Sequence, residues 1–341
     1  MAWAKSVHSI GRRAALLILA LACGGLAPAR ADVDQVTLAL PAEGMNFLGY
    51  YIANDLGIFA AQQIDVKGVV IAGVGSFNAV VSGSVEFAFA SGASLTRAAA
   101  HGQRMLALAQ MNSLPVWDVV LRKDLADEAQ FDPSAPLPQR ASLLKGRTLS
   151  IDGVNALDHA YLKMVVRLGG IDPDSIRYAP MAPPDMIGAL QRKALDGFVQ
   201  GPPWAQEVED DGSAVAIAVG PNGEPASLVP IASSLLIVRP QTCADRRQLC
   251  EKMGRSMVLA SKAVHDRTAD VLALLEKRFD KIKAPVLARS LDALVKVMPP
   301  VPRVDPVALR KADEINVGAG FMKPDALLSS YDNLATDEFL K

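Results

Sequence analysis

The chain has 341 residues, half of them hydrophobic and about a fifth charged, with 35 Lys and Arg against 36 Asp and Glu. This composition excludes a disordered or fibrous protein, and the length is sufficient for two globular domains. A near-neutral chain without a concentrated basic stretch also argues against nucleic acid as a partner.

The first thirty-one residues have the pattern of an export signal. Lys5, Arg12 and Arg13 precede the uncharged run AALLILALAC, which is too short to span a bilayer, and the small residues of APARA predict cleavage after Ala31. Two alternatives stay open: lipidation at Cys23, although the small Ala three places earlier is a poor match, and a buried N-terminal helix. Cleavage leaves 31 basic against 36 acidic residues, so we expect an exported, soluble and mildly acidic protein.

Two cysteines remain after cleavage, Cys243 and Cys250, within the segment TCADRRQLC. In an oxidising compartment two cysteines this close predict one disulfide that closes a small loop. Two buried free thiols are the alternative. No apolar run after residue 31 reaches membrane-spanning length either.

Strands and helices alternate through the first part of the mature chain. Asn46 is expected to cap a helix that Gly57 ends, because Asn accepts from free N–H groups and Gly adopts left-handed backbone angles. Such alternation implies a parallel sheet with helices on both faces. The predicted strands are QVTLAL, IDVKGVVIAG, VEFAFAS and RMLALAQMN, and the predicted helices are NFLGYYIANDLGIF, SFNAVVSG and SLTRAAAHG.

A second alternating series follows a proline-bearing polar stretch, EAQFDPSAPLPQRASLLKGR, which comes directly after the strand-like PVWDVVLRKD. Two such series in one chain indicate two α/β lobes. The remainder, from Arg246, is predicted to be mostly helical. In the second series the predicted strands are RTLSI, IRYAP, LDGFVQ, AVAIAV and SSLLIVRP, and the predicted helices are 156–168, PPDMIGALQRKA and PPWAQEVEDDG.

Candidate ligand-binding positions lie where strands lead into helices. In open parallel sheets ligands bind at the carboxyl ends of the strands, where helix N-termini present free N–H groups. Asn155 with Asp158 three residues later resembles a capping box. Junctions of this kind in both lobes favour a cleft between them. They are Asn46, Ser76, Ser91-Gly92, Asn155 and Gly201-Pro202.

The order of four segments resembles periplasmic solute-binding proteins of ABC importers, in the branch that includes binders of nitrate, sulfonates, taurine and pyrimidine precursors. The likeness covers nearly the whole mature chain. Its most specific parts are a helix ending Gly-Ile-Phe, a V-x-G-S-V-E-F-A turn into a strand, and L-K-G-R-T-L-S at the start of the second lobe. The segments are YYIANDLGIFAAQQIDV, GSFNAVVSGSVEFAFASG, LKGRTLSIDGVNALDHAYLKMVVRLGGIDPDSIRYAP and ALQRKALDGFVQGPPWAQE.

This resemblance implies the two-lobed type II periplasmic binding protein fold, an α/β architecture in which each lobe is a mostly parallel sheet flanked by helices. Two crossing strands, expected at 117–122 and 233–238, would join the lobes. The implied organisation is a signal peptide at 1–31, lobe one at 32–116, lobe two at 117–235, and a helical return to lobe one at 236–341.

The function that the resemblance implies is capture of a small-molecule ligand and its delivery to an ABC permease in the inner membrane. We expect a monomer without enzymatic activity, cofactor or bound metal. Closure of the lobes on the ligand would be a hinge motion.

The expected site combines glycine and serine turns of lobe one with residues of lobe two. The turns would hold a polar or anionic group, and aromatic side chains would clamp the rest of the ligand. No arginine falls at these positions, which favours neutral ligands, or anions held by N–H and hydroxyl groups. The predicted ligand-binding residues are Asn46, Phe47, Tyr50, Gly75, Ser76, Ser91, Gly92, Trp117, Asn155, His159, Gln200 and Trp204.

Several alternatives compete with this interpretation. GVGSFN is a partial dinucleotide fingerprint, but Asn78 replaces its third glycine, and SGASL lacks the leading glycine of a serine nucleophile elbow. The pyrimidine synthase of thiamine biosynthesis shares the fold but carries a cysteine-rich motif that this chain lacks. A periplasmic sensor that reports its ligand to a receptor needs the same closed, ligand-bound surface, so sequence does not separate it from an importer component.

Overall fold

The computed structural model describes residues 33–341. The predicted export signal, its cleavage position after Ala31 and the lipidation position Cys23 lie outside the described residues. Across 33–341, none of the helices combines the length and the apolar character that crossing a membrane requires.

The described chain contains ten strands and fourteen α-helices in an alternating order that agrees with the sequence pattern. The strands are β1 (Asp34–Leu40), β2 (Ile64–Val70), β3 (Phe87–Ala90), β4 (Leu106–Asn112), β5 (Asp118–Arg122), β6 (Thr148–Ile151), β7 (Arg177–Pro180), β8 (Gly197–Gln200), β9 (Ala214–Val219) and β10 (Ser234–Val238). The helices are α1 (Leu48–Asp55), α2 (Ile58–Ala61), α3 (Gly75–Ser82), α4 (Gly92–Ala100), α5 (Lys123–Glu128), α6 (Leu137–Ala141), α7 (Leu157–Leu168), α8 (Pro183–Gln191), α9 (Trp204–Asp210), α10 (Pro240–Asp245), α11 (Arg247–Asp266), α12 (Thr268–Arg278), α13 (Ala284–Val297) and α14 (Pro306–Gly318).

The first sheet has the strand order β2-β1-β3-β10-β4. Strands β1, β2 and β3 are parallel, and β10 runs antiparallel to both β3 and β4. The sequences follow these positions. The edge strand β2 alternates buried Ile64 and Val66 with exposed Asp65 and Lys67, whereas the inner strands β3 and β10 are buried throughout and continuously apolar after Ser234.

The second sheet repeats this plan with the order β7-β6-β8-β5-β9, in which β5 is the antiparallel strand. The chain leaves the first sheet after Asn112 and returns to it at Ser234. Each sheet therefore has one antiparallel strand next to a crossing, and the predicted fold of two α/β lobes joined by two crossing strands is confirmed. The boundary proposed between residues 235 and 236 falls inside β10, all of which lies in the first sheet.

The predicted disulfide between Cys243 and Cys250 is present and joins α10 to the first turn of α11. Both cysteines are buried. The bond fixes the start of the longest helix, which packs against α1 and β4 of the first lobe.

Two predicted helix caps are wrong. Helix α1 begins at Leu48 and has Phe47 at its cap position, and α7 begins at Leu157 with Ala156 at that position; neither has a side-chain cap. Asn46 lies in a preceding 3₁₀ turn, and Asn155 adopts a left-handed backbone with φ 64°. Neither asparagine therefore caps a helix, although Asn is a favoured residue at the N-cap position.

Candidate functional site

A cavity lies between the two sheets, at the edge where the parallel strands of each sheet end. Pro41 follows β1, Ser91 follows β3, and Asn112 ends β4. From the second lobe, Asp152 follows β6, and Trp117 directly precedes β5. The antiparallel strands β5 and β10 begin at the edge where their parallel neighbours end. The loops at this edge of both sheets therefore border the same space.

The cavity encloses about 60 Å³, counted as the space open to the centre of a water molecule. That is room for roughly four to six water molecules, or for a small organic group. Its lining comes mostly from the first lobe; the second lobe contributes Trp117 and four residues before and within α7. The lining residues are Pro41, Asn46, Phe47, Gly73, Val74, Ser76, Phe77, Ala90, Ser91, Ser94, Asn112, Val116, Trp117, Asp152, Ala156, Leu157, Asp158, Ser233 and Ser234.

The hydroxyls around the starts of α3 and α4 are engaged in local hydrogen bonds. Ser76 Oγ lies within donor distance of Gly73 O (3.1 Å) and Phe89 O (3.2 Å). Ser91 Oγ accepts from Ser94 N at 3.1 Å and so caps α4, as its position before the helix predicts. These serines hold the two turns in place and use much of their own hydrogen-bonding capacity in doing so.

Three side-chain oxygen atoms of first-lobe residues that line the cavity are buried without a hydrogen-bond partner. Asn46 Oδ1, Asn112 Oδ1 and Ser234 Oγ make no hydrogen bond, although the three residues are 6%, 0% and 4% exposed. Asn112 Nδ2 does donate to Asn46 O at 3.1 Å, which fixes the Asn112 carboxamide. An unpaired buried polar group costs about 1–3 kcal/mol, so such groups on a cavity wall point to a missing hydrogen-bond partner.

The second lobe contributes two carboxyl groups, Asp152 and Asp158. Asp158 is buried and its Oδ2 accepts from Asp152 N at 2.7 Å, while Asp152 is half-buried and accepts from Gln200 Nε2. Burial raises the pKa of Asp158 to about 7, against the opposing effect of the N–H bond. Burial and the neighbouring Asp158 raise the pKa of Asp152 well above its usual range. Two adjacent carboxyls in a poorly solvated place resist simultaneous ionisation.

Apolar and aromatic side chains form the remaining wall. Phe47 and Phe77 enter from the first lobe, and Phe47 packs on Phe89 with ring centroids 5.8 Å apart. Trp117 enters from the crossing and packs on Tyr161, also at 5.8 Å. A mostly apolar wall with a few directed polar groups is typical of small-molecule sites.

Five of the twelve residues predicted for ligand binding line this cavity. They are Asn46, Phe47, Ser76, Ser91 and Trp117. Three others are used for packing in the first lobe: Tyr50 accepts from Gly68 N at 3.0 Å, Gly75 N donates to Ala72 O at 3.0 Å, and Gly92 N donates to Ala232 O at 2.9 Å. A Cβ on Gly92 would meet Ala232 and Ala312 within 3 Å, so close packing explains that glycine.

The remaining four predicted residues surround the cavity without lining it. His159 Nδ1 accepts from Asn155 N at 3.1 Å, and its ring packs between Tyr178 and Phe321. Burial lowers the pKa of His159 to about 4, so the ring is neutral. Gln200 orients Asp152, as described above, and its Oε1 accepts from Gly201 N at 3.1 Å.

Trp204 and Asn155 take part in contacts between the lobes. Trp204 Nε1 donates to Glu43 O at 2.9 Å, beside the backbone bond from Met45 N to Pro202 O at 2.9 Å. Elsewhere around the cavity, Arg97 Nη2 donates to Asn155 O at 3.0 Å. These hydrogen bonds hold the two lobes together around the cavity.

Sequence reasoning missed the residues with the most available hydrogen-bonding capacity. Asp152 and Asn112 could have been found, because each stands at the carboxyl end of a strand that was predicted. The sequence pattern favours a capping-box role for Asp158 and places Ser234 in a strand, and neither prediction points to a ligand. Among residues 33–341, no group of three His, Cys, Asp or Glu side chains is placed to hold a metal ion.

Known proteins resemble the chain at two levels. The family model described as "NMT1/THI5 like" matches residues 44–257, more than half of the chain. Comparison with curated protein sequences gives no match.

Solved structures share the fold. A protein from Bordetella bronchiseptica RB50 superposes with a TM-score of 0.76 at 16% identity, over 90% of this chain and 95% of that one. The alkanesulfonate-binding protein SsuA from Xanthomonas axonopodis pv. citri, bound to MOPS, has a TM-score of 0.69 at 14% identity, over 90% and 100%. The periplasmic nitrate-binding protein NrtA from Synechocystis PCC 6803 has a TM-score of 0.71 at 15% identity, over 90% and 87%. Identities this low establish the fold alone, and they confirm the type II binding-protein architecture.

Proposed function

This chain belongs to the NMT1/THI5-like family, and from that premise we propose that it is an exported solute-binding protein. It captures a small organic solute between its lobes and delivers the solute to an ABC permease of the inner membrane. Structures of the same fold include proteins named for binding alkanesulfonate and nitrate, which supports a binding role for the fold.

The observation that carries this proposal is the interlobe cavity with unpaired polar groups on its wall. Asn46 and Asn112 reach it from the first lobe, and Asp158 and Asp152 from the second. A ligand that satisfies groups on both lobes stabilises their contact, which couples binding to closure. The proposed ligand-contacting residues are the five predicted residues that line the cavity together with Asn112, Asp152, Asp158 and Ser234.

The lining described above also favours binding over catalysis. It contains no histidine, cysteine or lysine, and so lacks the usual partners of an activated nucleophile. A pyrimidine-synthase-like enzyme and a periplasmic sensor remain the competing functions, and the fate of the ligand tests the first of them directly.

The test is a thermal-shift screen of the purified exported protein against alkanesulfonates, taurine, carboxylates, amines, nitrate and pyrimidines. A ligand at a hundredfold its Kd adds about 2.7 kcal/mol, which raises the melting temperature by several degrees. We expect at least one saturable ligand, recovered chemically unchanged after incubation. Conversion of the ligand would identify an enzyme, and the absence of any stabilising compound for a protein purified free of ligand would contradict the proposal.

A matched pair of variants locates the binding. Ser91→Leu places a larger apolar side chain at the cavity wall, whereas Ser84→Leu makes the same change at an exposed position three residues before β3. Because Ser91 also caps α4, we expect its variant to lose about 1 kcal/mol of stability. Affinity should fall at least tenfold in Ser91→Leu and stay unchanged in Ser84→Leu. Equal affinities in both variants would place the ligand elsewhere.

A further inference from the structure

Building on the proposed function, we infer that the cavity takes a solute whose buried end is a cationic or N–H-donating nitrogen group, such as an amine or amidine, and not a sulfonate or nitrate. The inference concerns the class of ligand. It rests on the sign and hydrogen-bonding type of the groups that the two lobes bring to one space.

The second lobe presents acceptors. Asp152 and Asp158 both line the cavity, and each accepts one of the hydrogen bonds described above, Asp152 from Gln200 Nε2 and Asp158 from Asp152 N. Asp158 also receives backbone N–H bonds at the start of α7, so the Asp152 oxygen that does not bind Gln200 is the acceptor open to a ligand. On its other side, Asp152 also lines a depression shared with Glu43 and Asp185, two further acids. Even with one proton on the Asp152–Asp158 pair, these two spaces are lined by acidic and not by basic side chains, which favours a positively charged ligand.

The first lobe independently presents acceptors. Asn112 is fully buried, its Nδ2 is used by Asn46 O, and its Oδ1 has no partner. The Asn46 Oδ1 is likewise buried and unpaired. An amide oxygen accepts hydrogen bonds and does not donate them, so an incoming group must supply N–H or O–H donors to satisfy it.

Basic side chains are missing from the lining of this cavity in the described chain. Arg97 lines a neighbouring depression with Phe77 and Val74, but its guanidinium donates to Asn316 Oδ1 at 3.1 Å and to Asn155 O at 3.0 Å. A sulfonate or nitrate would thus meet an acidic pair that shares a proton, with no basic side chain on the cavity wall to compensate its own charge. The aromatic rings of Phe47, Phe77 and Trp117 suit a cation, because ring faces attract positive charge.

Cationic and anionic ligands differ in whether their binding releases a proton from the Asp152–Asp158 pair. Because burial holds the pKa of Asp158 near 7 and that of Asp152 above its usual range, the pair retains a proton near neutral pH. A bound cation favours the ionised pair and expels that proton, whereas a bound anion retains it. The other titratable groups nearby are His159, which is neutral, with Lys163 and Asp174 beyond it, and Glu43 and Asp185 on the far side of Asp152.

The experiment compares four compounds with one ring skeleton: benzylamine, benzamidine, benzenesulfonate and benzoate. Isothermal titration calorimetry of the exported protein, in buffers of different ionisation enthalpy, gives both affinity and proton release. We expect the two nitrogen compounds to bind at least tenfold more tightly than the two anions, with proton release near neutral pH. Their affinity should rise as the pH increases from about 5.5 to about 8.

Three variants test the assignment to this pair of carboxyls. Asp152→Asn and Asp158→Asn keep the shape of each side chain and remove its charge, and Asp65→Asn removes an exposed carboxylate on the edge strand β2. We expect at least a tenfold loss of benzylamine affinity, and loss of the proton release, in the first two and no change in the third. If one cavity variant fails to fold, the other and the pH profile still test the inference.

The outcomes distinguish this inference from the proposed function. Equal or tighter binding of benzenesulfonate or benzoate overturns the ligand class while leaving a binding protein. Failure of all four compounds at millimolar concentration also overturns the class, and the broader screen then decides the function separately. If that screen yields no ligand, the proposed function itself fails.

Discussion

The hydroxyls of Ser233 and Ser234 illustrate how adjacent residues divide structural and binding work. Ser233 Oγ donates to Leu114 O at 2.6 Å, whereas Ser234 Oγ is buried and unpaired, and both residues line the cavity. A satisfied hydroxyl contributes to folding, and an unsatisfied one opposes folding until a ligand pairs with it.

We therefore predict opposite effects for Ser233→Ala and Ser234→Ala. Ser233→Ala should lower the free energy of unfolding by about 1–2 kcal/mol, because the half-buried Leu114 carbonyl loses its donor. Ser234→Ala should leave the melting temperature unchanged or raise it, and should weaken ligand binding roughly fivefold. Thermal melts and calorimetric titration of both variants check this. A destabilised Ser234→Ala protein with full affinity would contradict the binding role of that hydroxyl.

Asp158 gives a prediction for stability as a function of pH. Its pKa is raised from 3.8 to about 7, so the folded state binds a proton that the unfolded state releases, and stability falls as the pH rises between these values. Asp158→Asn removes this effect, and it also lessens the rise in the pKa of Asp152 that the Asp158 charge causes. Relative to the natural chain, the variant should gain stability between about pH 4 and pH 7, by an amount on the order of a few kcal/mol.

Denaturant unfolding of both proteins at several pH values measures this gain. His159, whose lowered pKa makes stability rise with pH in part of the same range, is present in both proteins, so its effect largely cancels in the difference. A variant whose relative stability decreases toward neutral pH would show that the Asp158 carboxyl is stabilised, and not strained, by its surroundings.

Residue type indicated which side chains can cap a helix, but it did not indicate which of them the fold directs away from the helix. Ser91 caps a helix, as its type and position favour, but Asn46 and Asn155 do not. The reason is tertiary: α1 starts two residues after Asn46, and Asn155 adopts a left-handed turn whose N–H is used by His159. A single sequence does not reveal which side of a junction faces the partner lobe.

At the scale of elements, the disulfide between α10 and α11 is a local clamp on the helical return. In the chain-entropy description, closing a loop of this size stabilises the folded state by about 2–3 kcal/mol. We predict a lower melting temperature for the Cys243→Ala, Cys250→Ala double variant. Adding dithiothreitol should lower the melting temperature of the natural protein only. Equal melting temperatures for the natural protein with and without reductant, with both thiols then open to alkylation, would show that the bond adds no stability.

The alternation of strands and helices was sufficient to predict two α/β lobes, but not the direction of every strand. Strand β3 is entirely apolar, and β10 is apolar after its first residue, Ser234. The two strands nevertheless run antiparallel to each other. Apolar content reports that a strand is central, whereas its direction depends on where the chain enters the sheet. The two crossing strands came from the resemblance of the chain to a family, and the structure contains them as β5 and β10.

At the scale of the molecule, a few polar contacts hold the lobes together. Arg97 extends from α4 of the first lobe, is oriented by Asn316, and donates to the backbone of Asn155 in the second lobe. Arg97→Met keeps an apolar stem and removes the donor. We predict ligand dissociation roughly tenfold faster, because a charged hydrogen bond between the two lobes is lost.

Stopped-flow displacement measures this rate, with Arg104→Met as the control, since Arg104 is exposed at the start of the fourth strand region and contacts neither Asn155 nor Asn316 in the described hydrogen bonds. Unchanged dissociation in Arg97→Met would assign that arginine to the first lobe alone, through its bond to Asn316.

The central claim is that this protein binds a solute reversibly between its lobes. Isothermal titration calorimetry of the strongest ligand from the screen tests it most directly, because saturable binding and continuous turnover give different heat signals. We predict saturation at one ligand per chain and a return to baseline after each injection. Sustained heat from chemical turnover, or an absence of saturable heat, would contradict the claim.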